Sequence, residues 1–293
     1  MKEPRSALFI PAANEKMLAK VGQLPADLIL LDLEDSVLNK DKEKARELCA
    51  ETLKEFSTTS QALGVRINSF ESGLAEADLR AIVRYKPIVI MLPKVDGITA
   101  LIKAADLLSR LESENHIAQS SIGILALTAE QPGAILRMGE IEQVQGRLRG
   151  MTWGAEDLGV EIGASEKTDS EGNWLLPFAW AQSACLLKAR DLGVQAIDTV
   201  YAAFTDDDGL KRDAQRAKRL GFTGKLAIHP GQLATINSVF RPSDAEIERA
   251  QNILSAFESN PTDGAIQYGE KMLDYPHRRQ AEKLLARSRD FDQ

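Results

Sequence analysis

Cysteine and histidine are scarce in this 293-residue chain, which has two of the first and three of the second. Cys49 and Cys185 each sit in helix-like sequence beside Leu and Ala, so buried free thiols are expected rather than a disulfide or a thiolate metal site. A reducing cytoplasm is the expected compartment. His116, His229 and His277 have no metal-ligand spacing, and His229, followed by Pro230, reads as a hydrogen-bonded structural residue. No basic run tracks a phosphate backbone, and 36 basic against 43 acidic residues give a formal charge of -7, so nucleic acid is not an expected partner. No apolar stretch approaches the ~20 residues that span a bilayer, so membrane association is not expected either. The apolar segment after Met1-Lys2-Glu3-Pro4-Arg5-Ser6 is broken by Pro11, too early for a signal peptide. Neither an internal repeat nor a low-complexity tract occurs.

What the chain does have is eight short apolar runs, at 7–10, 28–31, 65–67, 88–92, 122–127, 151–153, 196–201 and 226–228. They are apolar throughout rather than alternating, as a parallel sheet covered on both faces requires. Between them lie segments of helical period, such as 40–56 and 101–111. With 44% hydrophobic residues the core can be large. Eight strands alternating with helices predict an α/β fold, a (β/α)8 TIM barrel with reactive groups at the carboxyl ends of its strands. The barrel is expected over 1–240. A polar loop, Thr168 to Asn173, precedes an Ala- and Leu-rich helix from about 178 to 192 and is expected over the barrel mouth. Ser243 and Glu246 form a capping-box start for a helix to about 257. The tail, 241–293, reads as a helical extension without a ninth strand, running through the loop Asn260-Pro261-Thr262-Asp263-Gly264 and the segment Tyr268-Gly269-Glu270-Lys271-Met272-Leu273-Asp274 into a charged helix. It is expected to pack on its own barrel or reach a neighbouring subunit.

The strand exits carry the chemistry. Glu130 closes the fifth run and Asp157 the sixth, and adjacent parallel strands lie ~4.8 Å apart. Two carboxylates with the remaining positions left to water and substrate is how Mg²⁺ is usually held; singly, each acid would read as a cap on the following helix. Arg66 interrupts the third strand, so its guanidinium must face a substrate carboxylate or enolate oxygen, or pair with Glu34 or Asp35. Leu31-Asp32-Leu33-Glu34-Asp35 sets three acids at the second exit, some of them expected to hold metal-bound water or Arg66. Lys94 reads as an ion-pair partner, since nearby acids would raise the pKa that a Schiff-base lysine needs lowered. Lys16 and Lys20, one turn apart beside the Ala12-Ala13-Asn14 turn, would share a face near the mouth, solvated or clamping phosphates.

With these residues in place the chain resembles the citrate lyase beta-subunit-like family of citryl-, malyl- and citramalyl-CoA lyases. The matching pieces are Arg5-Ser6-Ala7-Leu8-Phe9-Ile10-Pro11, Leu31-Asp32-Leu33-Glu34-Asp35 with Lys44-Ala45-Arg46, Val65-Arg66-Ile67-Asn68, Leu92-Pro93-Lys94-Val95, Gly154-Ala155-Glu156-Asp157-Leu158, Gly221-Phe222-Thr223-Gly224-Lys225 with Ile228-His229-Pro230, and Met272-Leu273-Asp274. The resemblance implies a homotrimer or larger assembly, Mg²⁺ (or Mn²⁺) on Glu130 and Asp157, and Arg66 and Glu130 at the substrate. It also implies CoA contacts from Phe9, Pro11, Asn14, Lys16 and Lys20, support from Glu34, Asp35 and Lys94, and Asp274 as an acid/base carboxylate delivered to an adjacent subunit. The implied reaction is reversible cleavage of a 3-hydroxyacyl-CoA to acetyl-CoA and a 2-oxo acid. A metal-dependent aldolase on free oxo acids, a malate-synthase-type condensing thioesterase and a non-catalytic acyl-CoA-binding subunit are the alternatives. Gln131, Pro11-Ala12-Ala13 and Trp180-Ala181-Gln182 depart from the family's common Thr, Pro-Gly and Tyr-Ala-Arg, which leaves the substrate open.

Overall fold

The computed structural model describes residues 3–260, 264–268 and 271–289. Residues 1–2, 261–263, 269–270 and 290–293, and with them most of the loop expected at 260–264, lie outside the described residues. Two compact units divide the chain, Glu3–Asn237 and Ser238–Gln293.

In the first unit, eight parallel strands close into a barrel in chain order: β1 (Ser6–Pro11), β2 (Leu28–Asp32), β3 (Leu63–Arg66), β4 (Val89–Val95), β5 (Gly123–Thr128), β6 (Leu148–Trp153), β7 (Gln195–Asp198) and β8 (Gly224–Ala227), with β8 returning to pair β1. The apolar runs form strands because both of their faces are covered. Ala7, Leu28, Leu30, Val89, Met91, Leu125, Leu127, Ile197 and Leu226 fill the interior as one cluster, while Leu8, Ile10, Ile29 and Leu31, one residue out of phase, are fully buried on the other face. Helices α1 (Glu15–Leu18), α2 (Lys42–Glu55), α3 (Ala75–Ile82), α4 (Ile98–Glu114), α5 (Pro132–Leu136), α6 (Ala155–Glu161), α7 (Leu176–Asp191), α8 (Asp207–Leu220) and α9 (Leu233–Phe240) follow the strands. In α4 the buried Leu101, Ala104, Ala105, Leu108 and Leu111 recur at the spacing of one helical face. The (β/α)8 architecture expected above is what forms.

Local boundaries differ. β7 stops at Asp198 rather than running to residue 201, and the Asp198 carboxylate at its end enters a buried network with Trp153 Nε1 (2.9 Å), Gln182 Nε2 (3.0 Å) and Lys225 Nζ (2.7 Å). Lys16 and Lys20 do not share a helical face: α1 is a single turn, and at Lys20 the chain tightens to an i→i+3 bond with Met17 before the 3₁₀ turn Val21–Gln23. The Thr168–Asn173 loop is tied to α8 through Arg216, whose Nη1 donates to Asn173 Oδ1 at 2.7 Å.

The second unit holds α10 (Asp244–Glu258), with the expected Ser243/Glu246 capping box, and α11 (Tyr275–Arg289). Where a helical extension without a ninth strand is expected, it also contains a short hairpin, β9 (Ala265–Tyr268) paired antiparallel with β10 (Lys271–Asp274), which adds no strand to the barrel sheet. Ile266 and Leu273 face each other in that register and pack with Ala250, Ile253, Phe257 and Ala281. Each strand is four residues long with one buried side chain, too short to register as a sequence period. No helix among the described residues is long and apolar enough to cross a membrane.

Candidate active site

The barrel register sets Asp32 opposite Arg66 at the carboxyl ends of β2 and β3. Arg66 donates in parallel to the Asp32 carboxylate, Nε to Oδ1 and Nη2 to Oδ2, both at 2.7 Å. Its Nη1 is shared at 3.1 Å between Asp35 Oδ2 and Glu34 Oε2. The guanidinium also lies 4.6 Å from the centre of the Phe9 ring, which gives it an aromatic floor. Burial pushes the Asp32 carboxyl upward, but the hydrogen bonds and charge of Arg66 more than reverse this and hold it below the ordinary range. The same neighbours raise Arg66 further. Asp32, not Glu34 or Asp35, is therefore its main partner. Only its place among the three acids at the second strand exit was visible in the sequence; the pairing with Arg66 follows from strand register.

Lys94 ties two acids together. Its Nζ donates to Glu34 Oε1 at 2.7 Å, while its backbone N–H donates to Glu130 Oε2 at 2.5 Å. Burial opposes the lysine charge, yet Glu34, Glu130 and Asp35 push its pKa up to about 12, so this is an ion-pair cation and not an amine nucleophile. Glu130, two residues beyond β5, is 2% exposed, and its Oε1 has no hydrogen-bond partner. Burial, then the Glu34 and Asp157 charges, push its pKa up to about 8. Asp157 stands in the first turn of α6 rather than at the strand end. Its pKa is also raised, by burial and by the charge of Asp35.

Among the described residues no group of three or more His, Cys, Asp or Glu side chains is arranged to hold a metal alone. A hard dication does not need one, since it keeps waters and uses one or two carboxylates. A buried carboxylate oxygen without a partner, at a mouth where burial and then neighbouring carboxylates raise both Glu130 and Asp157, is a donor set that fits such a cation.

Beneath this mouth Lys42 Nζ donates at 2.7 Å to Leu33 O, Glu34 O and Asn68 Oδ1, so the acidic turn after β2 is fixed from below. Asn68 in turn donates to Asp78, which also accepts from Arg46. In the first βα loop, Pro11 ends β1, Asn14 caps α1 by accepting from Met17 N, and Lys16 and Lys20 are exposed. His229 accepts from Gly231 N, and its ring centre lies 5.1 Å from that of Phe204. In the second unit Asp274 ends β10, half exposed, with Oδ1 2.5 Å from His277 Nδ1. That histidine was not among the expected site residues, although its i+3 spacing from Asp274 was visible.

A family model described as HpcH/HpaI aldolase/citrate lyase matches residues 5–230, and one described as C-C bond lyase of the TIM-barrel fold matches 181–292. The chain is similar to the mitochondrial citramalyl-CoA lyase of Rattus norvegicus, at 34% identity over 96% of this chain and 85% of that one. It is also similar to the citrate lyase subunit beta of Escherichia coli K12, at 33% identity (97% and 93%), and to the (3S)-malyl-CoA thioesterase of Cereibacter sphaeroides, at 34% (87% and 83%). Among solved structures, the protein CitE from Mycobacterium tuberculosis in complex with magnesium, acetoacetate and coenzyme A superposes with a TM-score of 0.78 at 27% identity, covering 98% of both chains. A citrate lyase from Burkholderia xenovorans gives 0.86 at 25%, covering 100% of this chain and 94% of that one. The mouth of acids around Arg66 and Glu130 is thus set in the barrel of the HpcH/HpaI aldolase/citrate lyase family of carbon–carbon lyases, to which this protein belongs.

Proposed function

We propose that the protein is a Mg²⁺-dependent lyase that reversibly cleaves a 3-hydroxyacyl-CoA of the citramalyl, malyl or citryl type into acetyl-CoA and a 2-oxo acid. The observation that carries this reading is the unpartnered buried Glu130 Oε1 beside Asp157, on the same barrel mouth as the Arg66 cluster. Glu130 and Asp157 would hold Mg²⁺; when bound, the ion supplies Lewis-acid polarisation of the oxygen on the carbon being cleaved. Mn²⁺ is expected to substitute.

Arg66 faces the thioester side. Its Nε and one Nη2 hydrogen are committed to Asp32 at 2.7 Å, whereas Nη1 is held more loosely at 3.1 Å. The second Nη2 hydrogen, beside the loosely held Nη1, is thus the donor available to a developing enolate oxygen, and fixed charge aimed at developing charge is commonly a large catalytic effect. Glu34, Asp35 and Lys94 hold these groups in place. Asp274, kept in one orientation by His277, serves as the acid/base that gives a proton to the enolate carbon or takes one from the acetyl methyl; it is delivered within a homotrimer or larger assembly. Phe9, Pro11, Asn14, Lys16 and Lys20 line the path of CoA. Support comes from the citramalyl-CoA lyase likeness and from the magnesium and coenzyme A in the CitE complex. The two buried free cysteines support a reducing, cytoplasmic setting.

The malyl-CoA thioesterase likeness favours a second reading, in which thioester hydrolysis completes the reaction. Purified protein incubated with citramalyl-, malyl- and citryl-CoA, with Mg²⁺ or with chelator, separates the two: a lyase releases 2-oxo acid without free thiol, and a thioesterase releases thiol. Equal 2-oxo acid release with and without the metal would overturn the proposal.

A further inference from the structure

We infer that Gly154 and the main chain of Lys94 are positioning residues for Glu130, clamping its carboxylate so that one defined oxygen, Oε1, is left for a cation. The inference rests on the reading of Glu130 as a metal ligand and deepens it.

One jaw is a bulge. Along β4 and β5, Leu92 lies opposite Ala126 but Val95 lies opposite Thr128, so three steps on β4 face two on β5. The extra residue is accommodated at Lys94, whose φ of +53° is left-handed. Such bulges re-aim groups at barrel rims, and here the redirected group is the Lys94 N–H that meets Glu130 Oε2 at 2.5 Å. Ala129, just before Glu130, is also left-handed at φ +54°, so two strained residues set where the carboxylate stands.

The other jaw is a missing side chain. A Cβ on Gly154 would lie 2.5 Å from Glu130 Cγ and 3.4 Å from its Cδ. The φ of −108° and ψ of 96° at Gly154 suit any L-residue, so the glycine is needed for space and not for conformational freedom. Because Cγ is mid-chain, an added methyl must push the carboxylate off the Lys94 amide.

The test is Mn²⁺ titration of metal-free protein by electron paramagnetic resonance, with thermal unfolding alongside and no turnover required. Gly154→Ala should unfold cooperatively near the wild-type temperature and bind Mn²⁺ roughly 10–100-fold more weakly, as when groups behind a metal ligand are lost. Lys94→Gly and Lys94→Val both lose the Nζ–Glu34 bond, but only glycine suits the positive φ, so Lys94→Val should bind Mn²⁺ at least tenfold more weakly than Lys94→Gly. Equal Mn²⁺ affinity in the two Lys94 variants would overturn the main-chain role, and this arm decides alone if Gly154→Ala fails to fold. Wild-type affinity in a folded Gly154→Ala would overturn the clamp while leaving the proposed function standing. No Mn²⁺ binding by wild type would overturn both.

Discussion

Replacing Arg66 by Lys and by Met separates its geometry from its charge. Lysine keeps a cation at the β3 exit but cannot make the two parallel 2.7 Å bonds to Asp32. One charge-assisted bond lost costs about 1.5–3 kcal/mol, or roughly 3–12 °C in Tm for a unit of this size. Methionine removes the charge that Asp32, Glu34 and Asp35 share, and stripping one partner from a buried cluster costs about 3–5 kcal/mol. Both variants lose the fork aimed at developing charge, so kcat should fall by about 10²–10³-fold in each. The acid dependence gives a second check. Asp32 has a depressed pKa in the folded protein, so its contribution is present above the unfolded value, about 3.9, and is lost as pH falls below it. In Arg66→Met the unpaired, buried carboxylates prefer to be protonated, so acid helps that variant relative to wild type. The Tm gap between them should narrow from pH 7 toward pH 4. Thermal melts over that range with parallel kcat measurements are the assay; a Lys variant equal to wild type in both, or a gap that widens in acid, would refute the reasoning.

Glu130→Gln and Asp157→Asn should each abolish the Mg²⁺ response of 2-oxo acid release while leaving the barrel folded by circular dichroism, since neither acid supports the packed core. Asp274→Asn should retain CoA binding by calorimetry and lose isotope exchange of the acetyl-CoA methyl protons; surviving exchange would remove Asp274 from the mechanism. Far from the mouth, Arg147 and Glu112 form a fully buried pair at 2.6 Å, so Arg147→Met should lower stability by about 3–5 kcal/mol, read as a urea midpoint shift, with kcat per folded protein unchanged.

The apolar runs made eight strands legible because their hydrophobicity is local and unbroken. The hairpin of the second unit was not legible, since Ile266 and Leu273 acquire meaning only when set across from each other against α10 and α11. The same holds in the site. Glu34, Asp35, Lys94 and Arg66 could be named from the strand exits, but the choice of Asp32 as the fork's partner depends on register between strands 34 residues apart in sequence. In the second unit the Asp274–His277 contact was likewise not legible, because a lone histidine carries no pattern until Asp274 is seen 2.5 Å away.

By itself the sequence determined the barrel, through the period of its apolar residues, and the inventory of charged groups at the strand ends, because strand direction and side-chain alternation are short-range properties. Tertiary structure alone decided which of those groups meet. The bulge that turns the Lys94 amide toward Glu130, the space left by Gly154 and the burial that isolates Glu130 Oε1 arise from residues distant in the chain. Desolvation and close approach depend on what the whole barrel brings together, and no local pattern encodes them.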